Sequence, residues 1–397
     1  MNEYIYRAHD DEVSGVAWSP DGKRLASSGL DGTVQVWNVA HAEGRRLLTY
    51  TGHTTQGGYD LVTAVGWSPD GRWIASGDAN GIIQVWDAAT GERRASYHGH
   101  AHVPVQILAW APDSERIASG DELGRAHVWD VATQELLAAY TGHRYLLDAL
   151  AWSPDGTRLA TASTFPELFD QSVPPPADVL EPLAPIGGPF PSFLDPSSTE
   201  MAALGESWPV PSFPEISGPD ANANAEGELP WYEVPVASWL PEESAAEIET
   251  VESAALAGLA PPCTLHIWDA ATGQSIGVYQ GKPDGAIATA SWSPDGRHLV
   301  TGGRTLDVWD AEQGEIIFSY EGHSAPIVRV AWSPDGARIA SASHDRTIQV
   351  WTPFVAEQRP LIYERHDWRV GGLAWSPDGV RLAFGDKDGS VHLWEVV

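Results

Sequence analysis

A histidine, a serine and an aspartate near the amino terminus are the first residues that suggest chemistry: His9, Ser27 and Asp31, with Trp37 shortly after them. These three types together activate a serine hydroxyl for nucleophilic attack in hydrolases. The same four types recur later as His323, Ser341, Asp345 and Trp351. An active site has no reason to occur twice, whereas a buried, fully satisfied polar network stabilises one packing wherever it occurs. We therefore predict that both sets are structural, that there are no catalytic residues, and that the protein is not an enzyme.

A second candidate is the stretch HGHAH, in which His98, His100 and His102 alternate. Alternate residues of a strand share one face, so three imidazoles could meet one metal ion there. However, the stretch runs from a strand into a loop, and no cysteine or carboxylate stands at a supporting spacing. The chain also contains no glycine-rich phosphate loop, HExxH or nucleophile elbow. We predict neither a metal site nor a cofactor.

The composition limits the classes of partner. The 397 residues carry a formal net charge of −31, and affinity for nucleic acid depends on Lys and Arg that displace counterions, so we expect no direct nucleic-acid binding. No apolar run approaches the roughly 18 residues of a membrane span, and the amino terminus lacks the segments of a signal peptide. The single cysteine, Cys263, cannot form an internal disulfide. We expect a cytoplasmic protein without a membrane partner.

A repeated motif places the His, Ser, Asp and Trp residues at regular intervals along the chain. The motif AWSPDG, or a close variant, occurs seven times, with its tryptophan at Trp18, Trp67, Trp110, Trp152, Trp292, Trp332 and Trp375. A second tryptophan ends each copy, at Trp37, Trp86, Trp129, Trp268, Trp309, Trp351 and Trp394. Turn residues separate short runs in which apolar and polar residues alternate, as is typical of strands. A period of about 40 to 45 residues with four strands per copy predicts an all-β fold, a seven-bladed β-propeller of four-stranded antiparallel blades.

The GH element, the SPDG turn and the VWD ending resemble the WD40 repeat family, and the resemblance covers about three quarters of the chain. It implies that the His, Ser, Asp and Trp of a copy form a buried hydrogen-bond chain. Some copies depart from this pattern, at Asn80, Leu123, Lys282 and Phe384. On this interpretation only the first and sixth copies are complete. The near-uniform SPDG turns are similar to those of bacterial members of the family.

The two ends of the repeat are complementary. The stretch EYIYRAH, residues 3–9, is an outer strand without a preceding partner, and SVHLWEVV, residues 390–397, ends on a third strand. We predict that the amino-terminal strand completes the last blade, which removes two open sheet edges. The predicted organisation is then blades one to three and the first part of blade four in residues 1–163, an insertion in 164–262, and the remaining blades in 263–397.

The insertion interrupts the fourth copy between its second and third strands. It holds 18 of the 30 prolines and no Lys, Arg or His, a composition that favours extended segments with little regular structure. Aromatic residues punctuate this acidic segment, and we predict that they bind a partner: Phe165, Phe169, Trp208, Phe213, Trp231, Tyr232 and Trp239. The resemblance implies that the insertion emerges on the face with which family members hold their partners.

Loops of blades four, six and seven should add charge and aromatic rings to that face: Tyr145, His344, Arg346, Trp368, Arg369 and Lys387. We predict a non-catalytic scaffold that binds partner proteins through this face and the insertion, with the propeller itself monomeric. Two alternatives stay open. One is a structural subunit of a larger multiprotein assembly, tethered by the insertion. The other is a propeller enzyme or metal-binding protein with a lidded site at the channel mouth.

Overall fold

The regular structure forms seven four-stranded antiparallel sheets, which confirms the predicted all-β, seven-bladed propeller. The computed structural model describes residues 3–39, 45–53, 61–100, 102–143, 145–163, 264–282, 286–355, 359–364 and 370–396. Within these ranges no helix is long and apolar enough to cross a membrane. Each sheet is one blade, so each copy of the motif corresponds to one structural unit.

Blades one to four follow the chain from the first AWSPDG motif. Blade one contains β2 (Val13–Trp18), β3 (Arg24–Gly29), β4 (Val34–Asn38) and β5 (Arg45–Tyr50). Blade two contains β6 (Val62–Trp67), β7 (Trp73–Asp78), β8 (Ile83–Asp87) and β9 (Arg93–Tyr97). Blade three contains β10 (Val105–Trp110), β11 (Arg116–Asp121), β12 (Ala126–Asp130) and β13 (Leu136–Tyr140). Blade four contains β14 (Leu147–Trp152), β15 (Arg158–Ser163), β16 (Thr264–Asp269) and β17 (Ser275–Gln280).

Blades five to seven complete the ring. Blade five contains β18 (Ile287–Trp292), β19 (His298–Gly303), β20 (Leu306–Asp310) and β21 (Glu315–Tyr320). Blade six contains β22 (Ile327–Trp332), β23 (Ile339–Ser343), β24 (Ile348–Trp351) and β25 (Leu361–Tyr363). Blade seven contains β26 (Val370–Trp375), β27 (Arg381–Asp386), β28 (Ser390–Glu395) and the amino-terminal strand β1 (Glu3–Arg7). The first strand of each blade contacts the first strand of the next, and β26 contacts β2, so the ring is closed.

The SPDG motif makes the turn between the first and second strands. In blade one the Ser19 hydroxyl donates to Asp21, 2.6 Å away, and accepts from the backbone N–H of Arg24 at 2.9 Å. Gly22 has φ of 66°, in the left-handed region that glycine adopts at little cost. The same Ser and Asp bond recurs in blades two, four, five, six and seven. The sequence of these turns is therefore explained by the requirements of their own backbone geometry.

The two faces of the ring differ in the segments that form them. We call the top face the surface made by the loops between blades and the turns between second and third strands; residues 8–12 and 30–33 are its parts in blade one. These two segments meet, because His9 bonds Asp31 and the backbone N–H of Leu30 donates to the Glu12 carbonyl. The bottom face carries the SPDG turns and the turns between third and fourth strands, which bond each other through Val39 N–H and the Lys23 carbonyl.

The amino-terminal strand closes the last blade, as predicted. β1 pairs antiparallel with β28, in a register that runs from Glu3 opposite Trp394 to Arg7 opposite Ser390. The ring of Tyr6 is buried and stacks on Trp37 of blade one, with 5.8 Å between ring centroids. Residues distant in sequence are thus joined at this seam.

The long interruption of blade four leaves the sheet regular. β15 pairs antiparallel with β16 from Arg158 opposite Asp269 to Ala162 opposite Leu265. Residues 164–263 lie outside the described ranges, so the little regular structure expected of the insertion and its domain bounds stay predictions. Ser163 and Thr264, the described residues on either side of it, lie at the top-face ends of β15 and β16.

The seam yields a prediction for stability. Replacing Tyr6 by Ala removes a buried ring from the contact between blades seven and one, and should lower the free energy of unfolding by about 2 to 4 kcal/mol. For a propeller of this size the melting temperature should fall by roughly 5 to 10 °C. Removing residues 1–8 should lower it further, because the outer edge of β28 is then unpaired. Thermal unfolding followed by circular dichroism measures both.

The matched control lies on the same strand. Ile5 is 55 % exposed, and Ile5→Ala should leave the melting temperature nearly unchanged. If the Tyr6 and Ile5 variants melted at the same temperature, closure by β1 would not limit the stability of the ring.

Candidate functional site

The polar set of blade one is an internal tie. His9 Nδ1 lies 3.0 Å from both carboxylate oxygens of Asp31, and His9 Nε2 lies 2.8 Å from Ser27 Oγ. Trp37 Nε1 donates to the same Ser27 hydroxyl at 3.2 Å. Because Ser27 has no exposed surface, its hydroxyl is out of reach of a substrate. The chain His9, Asp31, Ser27 and Trp37 joins a loop, a turn and two strands of one blade.

Blade six forms the same set with one difference. His323 Nδ1 lies 2.8 Å from Asp345, and His323 Nε2 lies 2.8 Å from Ser341 Oγ. Trp351 Nε1 makes no hydrogen bond to a described residue, although the sequence analysis places it in the set. The Ser341 hydroxyl instead donates to the Gln349 carbonyl at 3.5 Å, and the Trp351 indole stacks on Tyr320 as the tryptophans of other blades do.

Blade two also forms the full set, with Trp86 Nε1 donating to Ser76, and blade three forms it without a described bond from its tryptophan, so the expectation that only the first and sixth copies are complete is wrong. His53 lies 2.8 Å from Asp78 and 2.7 Å from Ser76. His100 lies 2.8 Å from both Asp121 and Ser119. In these blades the carboxylate comes from the last residue of the second strand, two positions before Asn80 or Leu123. An aspartate side chain reaches the histidine from either position.

The other blades have modified sets. In blade four Thr161 replaces the serine and accepts from Trp268 Nε1 at 3.1 Å, while its hydroxyl lies 2.8 Å from His143 Nε2. In blade five Lys282 replaces the histidine and forms an ion pair with Asp307 at 2.8 Å. In blade seven Phe384 replaces the serine, and its ring stacks on an imidazole of the third strand.

Hydrogen-bond partners and nearby positive charges keep the aspartates of these sets ionised. Burial acts to raise the pKa of Asp31, but its hydrogen bond to His9, the His9 charge and the bonds to Thr33 outweigh burial and lower the pKa to about 2. The pKa of Asp121 is also lowered, because the bond and charge of His100 and the charge of Arg125 outweigh its burial. An ionised aspartate bound to a buried histidine stabilises the loop that carries the histidine. The arrangement thus explains packing and offers no accessible nucleophile.

The HGHAH stretch does not bring its three imidazoles together. His100 is fully buried in the set of blade three, whereas His98 and His102 are exposed. The His98 ring contacts the Ser96 hydroxyl at 3.0 Å, and His102 lies in a loop with φ of 68°. Alternation therefore does not persist across the end of the strand.

The residues predicted to bind a partner fall on the top face where the structure describes them. His344 and Arg346 lie in the turn between β23 and β24, and Lys387 lies in the equivalent turn of the neighbouring blade seven. Tyr145 lies on the same face in the loop before β14, three blades away from Lys387. Trp368, Arg369 and the aromatic residues of the insertion fall outside the described residues: Phe165, Phe169, Trp208, Phe213, Trp231, Tyr232 and Trp239.

Arg346 has an unusual backbone conformation. Its φ is 66°, whereas the equivalent turn residues Gly32 and Gly389 both have φ of 81°. A residue with a Cβ pays roughly 1 to 2 kcal/mol for the left-handed region, and glycine pays little. The Arg346 side chain is exposed, so packing does not compensate that cost. Ser114 and Gln134 of blade three likewise occupy positions at which other blades have glycine, with φ of 62° and 63°.

A position that the sequence analysis missed joins neighbouring blades at four of the seven junctions. Two residues before the second tryptophan stands a polar residue on the third strand: Gln35, Gln84, His127, His266, Asp307, Gln349 and His392. Tyr50 of blade one donates its hydroxyl to Gln84 of blade two at 2.5 Å, and Tyr320 donates to Gln349 at 2.6 Å. The recurrence of both residues at the period of the repeat is a signal that could have identified this pairing.

Two of the histidines at this position, His127 and His266, are buried in the neutral form. Burial and the neighbouring His100 charge lower the pKa of His127 to about 3, and burial lowers the pKa of His266 to about 4. Burial and the His266 charge hold the pKa of His143 well below its usual value. The His143 and His266 rings lie 4.2 Å apart. Two imidazoles this close and this buried repel each other when they are protonated.

The sign of these shifts predicts the effect of acid. A histidine in the unfolded chain has a pKa of about 6.5, so below that pH the unfolded state binds protons that the folded state refuses. The contribution of His266 is intact above pH 6.5 and is lost as the pH falls toward 4. In His266→Gln the loss of unfolding free energy between pH 7 and pH 5 should be about 1 to 2 kcal/mol smaller than in the parent. Urea unfolding at the two pH values measures the difference.

The reciprocal change provides the control. Gln84 occupies the same position in blade two and accepts from Tyr50, so Gln84→His adds a histidine in a matched setting and should increase the loss in acid. If His266→Gln lost as much stability as the parent between pH 7 and pH 5, burial of the neutral imidazole would not be the cause.

Comparison with known proteins agrees with this geometry. The family described as WD domain, G-beta repeat matches residues 2–38, 44–87, 91–130, 134–172, 273–310, 314–352 and 358–395. These seven matches correspond to the seven repeats, although the third strand of blade four lies outside them.

Curated relatives come from Arabidopsis thaliana. "Cell division cycle 20.1, cofactor of APC complex" is 23 % identical over 149 residues, which are 26 % of this chain and 33 % of the relative. "Cell division cycle 20.6, cofactor of APC complex" is 22 % identical over 100 residues, 24 % of this chain and 23 % of the relative. The chain thus spans about a third or less of the length of the curated relatives it matches. Since the family match covers more than half of the chain and each repeat forms one blade, the protein belongs to the WD40 repeat family.

Proposed function

We propose that the protein is a non-catalytic scaffold that binds partner proteins through the top face of its propeller and through the insertion at residues 164–262. The observation that carries the proposal is Arg346, an exposed arginine with a left-handed φ of 66° on the top face. Selection for folding alone favours glycine at that position, as Gly32 and Gly389 illustrate. Arginine is enriched in protein interfaces, where it contributes charge and several hydrogen-bond donors.

The contrast between the two faces supports a scaffold. The turns between first and second strands share the SPDG sequence and its Ser to Asp bond in six of the seven blades, as at Ser19 and Ser333, whereas the top turns differ more between blades. Exposed cations at Arg346 and Lys387 occupy neighbouring blades. In a chain of net charge −31, two exposed cations on the top face favour an acidic segment of a partner. The His, Ser and Asp side chains of the motif are buried inside the blades, where they bond each other.

The relatives are consistent with such a role. Their names describe cofactors of the APC complex, that is, proteins that act together with an assembly. We propose the same general role, work within a complex, for this protein. The identity of the partner is left to experiment.

A second candidate, a lasting structural subunit of a larger multiprotein assembly, is favoured by apolar surface on the outer strands. Ile276 and Val278 of blade four are 55 % and 50 % exposed, and Leu136 of the adjacent blade three is 50 % exposed. Large apolar side chains grouped on neighbouring strands are typical of contacts that stay closed. In this second candidate function the top face would bind a recruited protein, while the outer strands of blades three and four would attach the propeller to the assembly.

The direct test compares partner capture by four forms of the protein. The intact chain, a form lacking residues 165–261, Arg346→Gly and Arg297→Ala are immobilised, exposed to extract of the source cells, and the captured proteins are quantified by mass spectrometry. Removal of residues 165–261 should abolish capture of the specific partner. Capture that is unchanged without the insertion would overturn its assigned role.

Arg346→Gly separates binding from folding. We expect about 5- to 30-fold weaker capture, the usual cost of an interface arginine. The variant should also be more stable by about 1 kcal/mol, because glycine relieves the left-handed strain. Stability is measured by urea unfolding in the absence of extract.

Arg297→Ala is the matched control, since Arg297 is an exposed arginine in the bottom turn of blade five. Its loss changes the net charge equally and should leave capture unchanged. Equal losses in the Arg297 and Arg346 variants would show that overall charge, and not the top face, governs binding.

A further inference from the structure

The junction between blades seven and one is packed differently from the junctions at which a tyrosine hydroxyl bonds the next blade. At those junctions the hydroxyl lies against the glycine two positions after the tyrosine, so a Cβ on Gly52 would overlap the hydroxyl of Tyr50. The same holds at the equivalent glycines of three other blades. At the seam the residue two positions after Tyr6 is Ala8. Its Cβ excludes the Tyr6 hydroxyl from the corresponding place.

The side chains on both sides of this junction show the effect. The Tyr6 hydroxyl is buried and makes no hydrogen bond to a described residue. The Tyr6 and Trp37 ring centroids are 5.8 Å apart, against 4.4 to 5.3 Å at the four junctions with the bond. Gln35, the equivalent of Gln84, is 4 % exposed, and its side-chain partner in the described part of the chain is Arg46, at 3.4 Å.

Gln35 therefore keeps bonding capacity that its equivalents use. Gln84 accepts from Tyr50 at 2.5 Å and donates its amide N–H to the Gly52 carbonyl at 3.0 Å. Gln349 of blade six makes the same two kinds of bond. The amide N–H groups of Gln35 make neither bond to a described residue. A buried amide next to an exposed arginine is thus available to a ligand.

A cleft with a volume of about 520 Å³ lies at this part of the seam. Pockets that hold small ligands have volumes of roughly 300 to 1,000 Å³. The cleft has one wall from blade seven, one from blade one and a floor from the loop that joins them. Its lining residues are Arg7, Ala8, His9, Asp10, Arg46 and Asp388.

Four of these residues present exposed charges to the same space: Arg7, Arg46, Asp10 and Asp388. None of the four has an ion-pair partner among the described residues. Two cations and two carboxylates that line one space without pairing are complementary to a molecule that carries both charges. Guanidinium groups bind a carboxylate through paired N–H donors, and aspartates accept from an ammonium group.

The geometry points to a binding site for a small zwitterion of the peptide class, an unblocked dipeptide. Arg7 and Arg46 bind its carboxylate, and Asp10 and Asp388 bind its ammonium group. The Gln35 amide, beside Arg46, supplies a further donor. An extended dipeptide is about 7 Å long, which the cleft accommodates.

A ligand of one charge suits this cleft less well. A phosphate ion attracted by Arg7 and Arg46 is repelled by two carboxylates in the same space, and an amine is repelled by the two arginines. A zwitterion places each end against groups of opposite charge. The arrangement therefore selects for the presence of both ends of the peptide.

Binding here would also hold the ring closed. Arg7 lies on β1 of blade seven and Arg46 on β5 of blade one, so a ligand bound by both arginines bridges the seam. A ligand that binds only the folded state raises the melting temperature. This site is separate from the turn that carries Arg346, so it does not depend on the proposed partner binding.

The test is isothermal titration of the full, untagged chain with L-alanyl-L-alanine at neutral pH and low salt. We expect one saturable site per chain with a Kd of about 1 mM or lower, as for a small ligand with two charged contacts. N-acetyl-alanyl-alanine lacks the ammonium group and alanyl-alanine amide lacks the carboxylate. Each should bind about 10-fold more weakly or worse. Inorganic phosphate, the purely anionic probe, should not displace the dipeptide.

Three variants of exposed residues locate the two ends of the ligand. Arg7→Gln and Arg46→Gln should each weaken dipeptide binding by about 10-fold and reduce the preference for the dipeptide over its amide. Asp388→Asn should weaken it to a similar extent, about 10-fold, and reduce the preference over the N-acetyl form. Urea unfolding without ligand shows that each variant is folded.

Two controls change the net charge equally elsewhere. Arg93→Gln alters the position of blade two equivalent to Arg46, since Arg93 lies opposite Trp86 as Arg46 lies opposite Trp37. Glu135→Gln alters an exposed residue in a turn of blade three. Both should leave the dipeptide affinity unchanged.

Three results would overturn the inference. One is the absence of saturable binding of the dipeptide up to about 10 mM, a concentration well above the expected Kd. The second is equal binding of the dipeptide, its N-acetyl form and its amide. The third is an affinity that is the same in the Arg7, Arg46 and Asp388 variants as in the parent.

Discussion

The structure depends on the stacking of a tyrosine of each blade on a tryptophan of the next. The two rings meet at all seven interfaces, with centroids 4.4 to 6.4 Å apart; six pairs are stacked and the seventh, Tyr363–Trp394, is tilted by 41°. The stacked pairs are Tyr6–Trp37, Tyr50–Trp86, Tyr97–Trp129, Tyr140–Trp268, Tyr279–Trp309 and Tyr320–Trp351. Each pair adds about 0.5 to 1.5 kcal/mol to the burial of its rings. A blade has apolar residues on both faces, so it is stable only between two neighbours. The ring must therefore close, and β1 supplies the last contact through Tyr6.

The fold could be predicted because the residues that impose this constraint recur at a regular spacing in the sequence. A tryptophan pair and a turn motif repeated seven times specify the number of blades, and an unpaired strand at each end specifies how the ring closes. The polar sets were predicted less well, since Asp78 and Asp121 occupy a position two residues before the expected aspartate. The motif describes spacing along the chain, whereas a hydrogen bond requires only that a carboxylate reach the histidine in space. His53 and His100 are reached from the end of a strand, and His9 from the following turn.

The candidate site was predictable only in part, for a related reason. Blade topology alone places His344, Arg346 and Lys387 on one face, and the sequence identified all three. It could not reveal that Arg346 has a left-handed backbone, because side-chain type does not report φ. Nor could it reveal that Arg7 and Asp388 line one cleft, since that arrangement depends on the register of two strands from opposite ends of the chain. Long-range register is the information that local patterns lack.

The departures from the repeat are spread around the ring. Thr161 and Lys282 replace serine and histidine in blades four and five, and Phe384 replaces serine in blade seven. Seven similar blades share the stabilisation of the ring, so one blade can change a residue of its polar set if its neighbours hold it. Blade seven has such support, because the pairing of β1 with β28 and the Tyr6 ring fix its outer edge. A repeat that is redundant for stability can therefore change single polar residues without loss of the fold.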